Sequence, residues 1–207
     1  RLGLLFATRA RAARYGRAIL IGVPVWFTSG ILVTFAPEFA RALGVGEAVS
    51  AGTAVLVFYA TTTLGDLTSG LLSQRWRSRR RAAGTYLALT AVGVALYLGG
   101  AARSASGLYA LYGWLGFATG YWAVMVTMAV EQFGTDLRAT VGTSVPTFVR
   151  ATTVPMTHGW GALRPALGVL PAAALVGAVV FAAAAWATWW QAETYGVALD
   201  FTEAGGR

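Results

Sequence analysis

Long apolar stretches, each closed by arginines, constrain this chain more than any other feature of its sequence. Six of them, over about 18–39, 48–74, 82–102, 104–130, 139–163 and 165–192, carry almost no charge. Each has the length of a bilayer crossing, which takes about 20 predominantly apolar residues. Hydrophobic residues make up 57% of the 207 and charged residues only 12%, too few to clothe a water-soluble domain of this size. The joints are short, so successive spans must be antiparallel neighbours. The expected fold is an all-α membrane protein with six transmembrane helices. A basic lead-in or linker over 1–17 precedes the bundle of 18–192, and a tail over 193–207 follows it.

The basic residues then orient the bundle. All 16 are arginine, and with abundant Ala and Gly this matches the coding bias of a GC-rich bacterial genome. A net charge of +8 would suggest nucleic acid in a soluble protein. Here the charges sit between apolar spans and report topology instead, so no nucleic-acid partner is expected. Twelve arginines fall in 1–17, 75–81, 138 and the tail, against Arg41, Arg103 and Arg164 on the other side. That asymmetry puts both termini in the cytoplasm and the chain, as a multi-pass protein, in a bacterial plasma membrane. Cysteine is absent, which excludes disulfides and thiolate metal sites. Arg1 is not an initiator residue, and the expectation is a piece of a longer protein.

Polarity is unequal among the spans. The third and sixth are nearly all apolar and suit contact with lipid. The fifth carries Thr143, Thr147, Arg150 and Thr157 as one stripe, with Pro146 and Pro155 placed to bend it. A polar stripe in a membrane helix must face the bundle or water. Arg150 falls about 16 Å along the axis from residue 139, near mid-bilayer, where an unpaired arginine costs at least ~2.5 kcal/mol. Two readings stay open for it: a site for an anionic or hydroxyl-bearing small molecule, or an ion pair with a carboxylate on another helix. The first span adds Trp26, beside Pro24, Thr28 and Ser29; the fourth adds Tyr112 among other aromatics. Asp66 lies in the inner part of the second span, with Tyr59 two turns earlier on the same face. It could carry a proton or hold the arginines that follow it, and the second role is preferred. His158 reads as a hydrogen-bonded packing residue ahead of a proton relay. Gly113, Gly116 and Gly120 have the spacing of a close helix contact.

Three segments resemble the carboxyl-terminal half of a major facilitator superfamily transporter, of the sugar or metabolite type. Residues 65–81 are similar to the family's loop motif between the second and third helices of each half. Gly70, Arg75 and Arg79 stand where that motif has Gly and basic residues, and Arg80 follows directly. Gln74, Arg77 and Ser78 depart from it. Residues 131–140, with Glu131, Arg138, Ala139 and Thr140, resemble the loop before the eleventh helix. Residues 193–201, with Glu193, Thr194, Tyr195 and Gly196, resemble the tail after the twelfth.

The resemblance implies half of a twelve-helix fold, made of two inverted three-helix repeats. It implies secondary active transport of a small polar or anionic metabolite by alternating access, with no cofactor and no metal. The first, second, fourth and fifth spans would line the path. Arg150, Thr147, Thr157, Tyr59, Trp26 and Tyr112 are then the candidate substrate contacts. Asp66, Gly70, Arg75, Arg79, Arg80, Glu131 and Arg138 would form a cytoplasmic gating cluster, with Asp66 a candidate for proton coupling. The implied partners are the lipid bilayer, a missing amino-terminal six-helix half and the substrate. Two other classes compete. A six-span intramembrane enzyme would need Ser104 or Ser106 against His158, and a non-transporting scaffold would need no polar cavity at all.

Overall fold

The computed structural model describes residues 2–198 and 200–203. Arg1, Leu199 and residues 204–207, including Arg207, lie outside them. Among the described residues the chain is all-helical: α1 Leu2–Leu5, α2 Arg9–Phe27, a π-helical segment Thr28–Val33, α3 Ala36–Ala42, α4 Ala51–Arg75, α5 Arg79–Leu98, α6 Ala105–Thr119, α7 Trp122–Glu131, α8 Thr135–Ala151, α9 Thr153–Leu167 and α10 Val169–Trp190. Five stretches are long and apolar enough to cross a membrane: Arg9–Val33, Ala51–Arg75, Arg79–Leu98, Ala105–Glu131 and Val169–Trp190.

Hydroxyl side chains start four of the helices. Thr8, Ser50, Ser78 and Ser104 each accept a hydrogen bond from the backbone N–H three residues on, which satisfies a donor that the first turn would otherwise leave unpaired. The Thr8 cap makes the arginine-rich lead-in helical from Arg9, so the first apolar stretch and its basic prefix are one element.

The expected fifth span is divided. Pro155 has no N–H to give to the carbonyl of Ala151, and its ring crowds that oxygen. The helix therefore breaks at Thr152 into α8, of 17 residues, and α9, of 15. The joint expected at Arg164 lies instead at Gly168, whose φ of +87° turns the chain between α9 and α10. Arg164 stays inside α9, pairs with Glu38 and lies over the Trp160 ring.

Two apolar layers hold the bundle together. Around Phe27, Phe39, Phe58, Tyr97, Tyr112 and Trp160 lies one layer, with the Phe39 and Trp160 rings stacked 5.4 Å apart. The other gathers Tyr15, Tyr86, Tyr121, Met125, Met128 and Phe133. Because lipid tails are as apolar as the core, small residues and interhelical hydrogen bonds must add to the packing. A Cβ on Gly116 would overlap the Phe58 carbonyl, and one on Gly65 would overlap that of Phe117, so α4 and α6 touch backbone to backbone. Ser69 Oγ donates to the Gly120 carbonyl at 2.5 Å, Thr90 Oγ1 to that of Ala118 at 2.9 Å, and Tyr121 Oη to that of Ile21 at 2.9 Å. Outside these layers, α4 exposes Leu56, Tyr59, Leu64, Leu67 and Leu71, and α10 exposes Leu175, Val179, Trp186, Trp189 and Trp190. Apolar faces this extensive belong to a membrane-embedded protein.

Candidate functional site

Two places in the bundle concentrate polar chemistry. One lies where α2 gives way to the π-helical segment. Pro24 withdraws a donor from α2, and four residues later Thr28 Oγ1 donates back to the Pro24 carbonyl at 2.8 Å. Thr34 N then bonds the Ser29 carbonyl at 3.1 Å, five residues back, which marks the wider helical turn. Thr153, immediately after the α8–α9 break, packs on this turn; a Cβ on Gly30 would meet its Cγ2 at 2.6 Å. Two helices thus lose regular geometry at the same contact.

Arg150 approaches from α8. Its guanidinium lies over the Trp26 ring, 4.8 Å from the centroid, and the Trp26 and Trp122 rings meet edge to face at 6.4 Å. No described carboxylate pairs with Arg150, so the ion-pair reading gives way to a cation–π contact. On the elements that meet here, Trp26 Nε1, Ser29 Oγ and Thr153 Oγ1 are buried and make no hydrogen bond among the described residues. Buried donors without partners are costly and rare in a settled core. A cation, an indole N–H and hydroxyls are the kinds of group that hold an anion or a hydroxyl-bearing molecule.

The other expected contacts are distributed unequally. Thr147 is exposed on α8 one turn before Arg150, and its Oγ1 donates to the Thr143 carbonyl at 2.9 Å. Thr157 is half-buried on α9. Tyr59 is 49% exposed on α4, with its ring against Phe58 and not beside Arg150. Tyr112 is fully buried, and its hydroxyl lies 2.7 Å from that of Tyr97. It belongs to the core and reaches no open face. Ser29, Trp122 and Thr153 were missed as site residues. Thr153 follows Arg150 by one turn and could have been found from the continuing stripe; Trp122 had no signal in one dimension.

The second place is the arginine-rich end. Arg79 Nη2 lies 3.1 Å from Glu131 Oε1, and its Nη1 donates to Ser73 Oγ at 2.9 Å. Thr194 Oγ1 donates to Glu131 Oε2 at 2.7 Å. Glu193 caps α5: its carboxylate accepts from Ser78 Oγ and from Arg79 N at 2.8 Å, and from Thr194 N and Tyr195 N at 3.0 Å. Burial pushes the Glu193 carboxyl up, but these four donors outweigh it and hold the group below its ordinary value. Arg80 Nη1 lies 3.4 Å and 3.3 Å from the carbonyls of Trp189 and Gln191 and so closes the end of α10.

Not every expected gating residue joins this cluster. Asp66 pairs with no described arginine; its Oδ1 accepts from Ala123 N at 3.1 Å and caps the start of α7. It shares with Gly70, Ser73, Arg79 and Thr127 a trough of about 360 Å³ between α4 and α7. Arg138 Nη2 donates to the Phe133 carbonyl at 3.2 Å, and Arg75 is exposed in the last turn of α4. Glu203, not anticipated, folds back against Arg11 at 2.9 Å and Arg14 at 3.3 Å, and its N–H donates to Asp136 Oδ1 at 3.1 Å.

Among the described residues, neither Ser104 nor Ser106 is hydrogen-bonded to His158. Ser104 and Ser106 lie 3.1 Å from each other at the start of α6, and His158 Nδ1 lies 2.9 Å from the Val154 carbonyl of its own helix. Comparison of the chain with protein-family models, and with curated proteins, returns no match.

Proposed function

We propose that the chain is a six-helix half of a secondary transporter of the major facilitator type. In this reading α8 and α9 together make a sixth crossing, bent at Thr152, and the six crossings form two inverted three-helix repeats. The observation that carries it is Arg150 over Trp26, with unpaired buried donors on Trp26, Ser29 and Thr153, on the elements where the π-helical segment meets the α8–α9 break. Irregular backbone at membrane depth is tolerated only where it is buried in protein or lines a water-filled cavity, and transporters place substrate at such discontinuities. The substrate is a small anionic or hydroxyl-rich metabolite, held between this half and a second six-helix unit. Tyr59 and Thr147 line the path from α4 and α8, while α5 and α10 face lipid.

The Arg79–Glu131–Thr194 cluster acts as a latch at the cytoplasmic end of a bacterial inner membrane, where both termini lie. It holds this end closed in the outward-facing state and parts on inward opening. Asp66, in the trough beside it, is the carboxyl placed to couple a proton.

The absence of cysteine makes a direct test available. Single cysteines at Tyr59, Thr147 and Val179 in the assembled protein are treated with a water-soluble maleimide. Tyr59→Cys and Thr147→Cys are expected to label, since a thiol must reach water to ionise and react. Val179→Cys, on α10, is expected to stay unlabelled. Protection of Thr147→Cys to the same degree as Val179→Cys would remove α8 from the path.

A further inference from the structure

We propose that the trough between α5 and α10 is a binding site for an anionic phospholipid. It has a volume of about 590 Å³. Arg80 and Arg81, in the first turn of α5, and Trp189, in the last turn of α10, stand at one end. Leu87, Ala91 and Phe181 form the apolar wall beyond them. From Arg80 to Ala91 is about 16 Å along the helix, close to the ~15 Å depth of one leaflet's hydrocarbon. Trp189 is 78% exposed, in the manner of an aromatic at the membrane interface.

Neither guanidinium at the mouth forms an ion pair with a described carboxylate. Arg81 is exposed and pairs with no described carboxylate. The Arg80 guanidinium reaches the main-chain carbonyls of Trp189 and Gln191, while its backbone N–H lies 3.4 Å from Glu193 Oε2. Glu193, the nearest acid in sequence to this corner, spends its oxygens on Ser78 and on backbone N–H groups. Two guanidinium groups above an apolar trough complement a phosphodiester above an acyl chain. A phospholipid has two such chains, and there is a place for the second. A neighbouring trough of about 510 Å³ runs past Trp76 and Thr85, and Arg81, Gly84 and Ala88 border both. Small side chains at 84 and 88 leave room for a chain on either side. The proposal rests on the chain being membrane-embedded and not on its transporting anything.

The test is native mass spectrometry of the detergent-purified chain, titrated with phosphatidylglycerol and with phosphatidylcholine. Phosphatidylglycerol is expected to bind at least tenfold more tightly. Arg81→Gln should weaken it about fivefold, as about 1 kcal/mol per basic residue at an anionic surface implies. Ala88→Trp, at an exposed position, should fill the trough and remove the preference without touching the core, whereas Arg103→Gln at the opposite end should change nothing. Equal binding of the two lipids, or indifference to both Arg81→Gln and Ala88→Trp, overturns the proposal. Displacement of phosphatidylglycerol by millimolar inorganic phosphate assigns the arginines to a soluble anion instead. A dimer that Ala88→Trp abolishes assigns the face to a second copy of the chain. Failure of the chain to enter bilayers at all would defeat the membrane reading itself, separately from lipid choice.

Discussion

Arg150 sits in α8 with its guanidinium over an indole and paired with no described acid. A cation–π contact out of water contributes about 2 kcal/mol, less than an arginine at membrane depth costs when unpaired. On the proposed reading the remaining cost is met by water or by a ligand anion. Arg150→Ala is expected, on the proposed transport reading, to lower uptake by the assembled protein at least tenfold, with its abundance in the membrane unchanged. Arg150→Lys should restore only part, because an ammonium cannot stack flat on Trp26. Uptake equal to wild type in the alanine variant would take Arg150 out of the substrate path. That a charge interrupts the fifth apolar stretch is legible in the sequence. Its partner is not, because nothing in the local pattern of α2 says which of its faces meets α8.

At the scale of elements, the closest contact is between α4 and α6. Gly116→Ala would drive a methyl into the Phe58 carbonyl, whereas a Cβ on Gly113 would meet only Val57 and Thr61 side chains, at 3.6 Å and 3.7 Å. Gly116→Ala should lower the midpoint of thermal unfolding in detergent by about 5 °C, from roughly 1–3 kcal/mol of overpacking. Gly113→Ala should leave it within about 1 °C on the same scale. Matching midpoints for the two variants would mean that the α4–α6 crossing relaxes freely. The glycine spacing in the sequence announces this contact, since only small residues let two backbones meet. The break of the fifth apolar stretch at Thr152 is half-legible: Pro155 dictates a lost hydrogen bond, but the packing of Thr153 on Gly30 fixes what the two halves do about it.

For the whole molecule, the arginine-rich end is a clamp made of parts far apart in sequence. Glu193 and Thr194 tie the tail to α5 and α7, and Glu203 ties it to α2 and the start of α8. The Glu193 carboxyl is held below its ordinary value, so its ionised form is the one the fold favours. Its contribution to stability is complete above the unfolded carboxylate pKa, about 4.3, and is lost as pH falls through the lower, folded value. Glu193→Gln should lower the unfolding midpoint at pH 7 and flatten its fall between about pH 5 and pH 3. Parallel acid profiles for wild type and variant would show that the α5 cap carries no linkage.

Composition and periodicity alone determined that this chain is helical, that its long helices suit a bilayer, and that arginines gather at one end. Those properties follow from solvation and chain geometry, which each short window of sequence carries within itself. Tertiary structure decided the rest. Placing Tyr112 in the core, turning Asp66 to cap α7 instead of an arginine, and bringing Trp26, Arg150 and Thr153 to one point all depend on which faces of distant helices meet. That choice is made by packing among all the helices at once, and no single window of the sequence contains it.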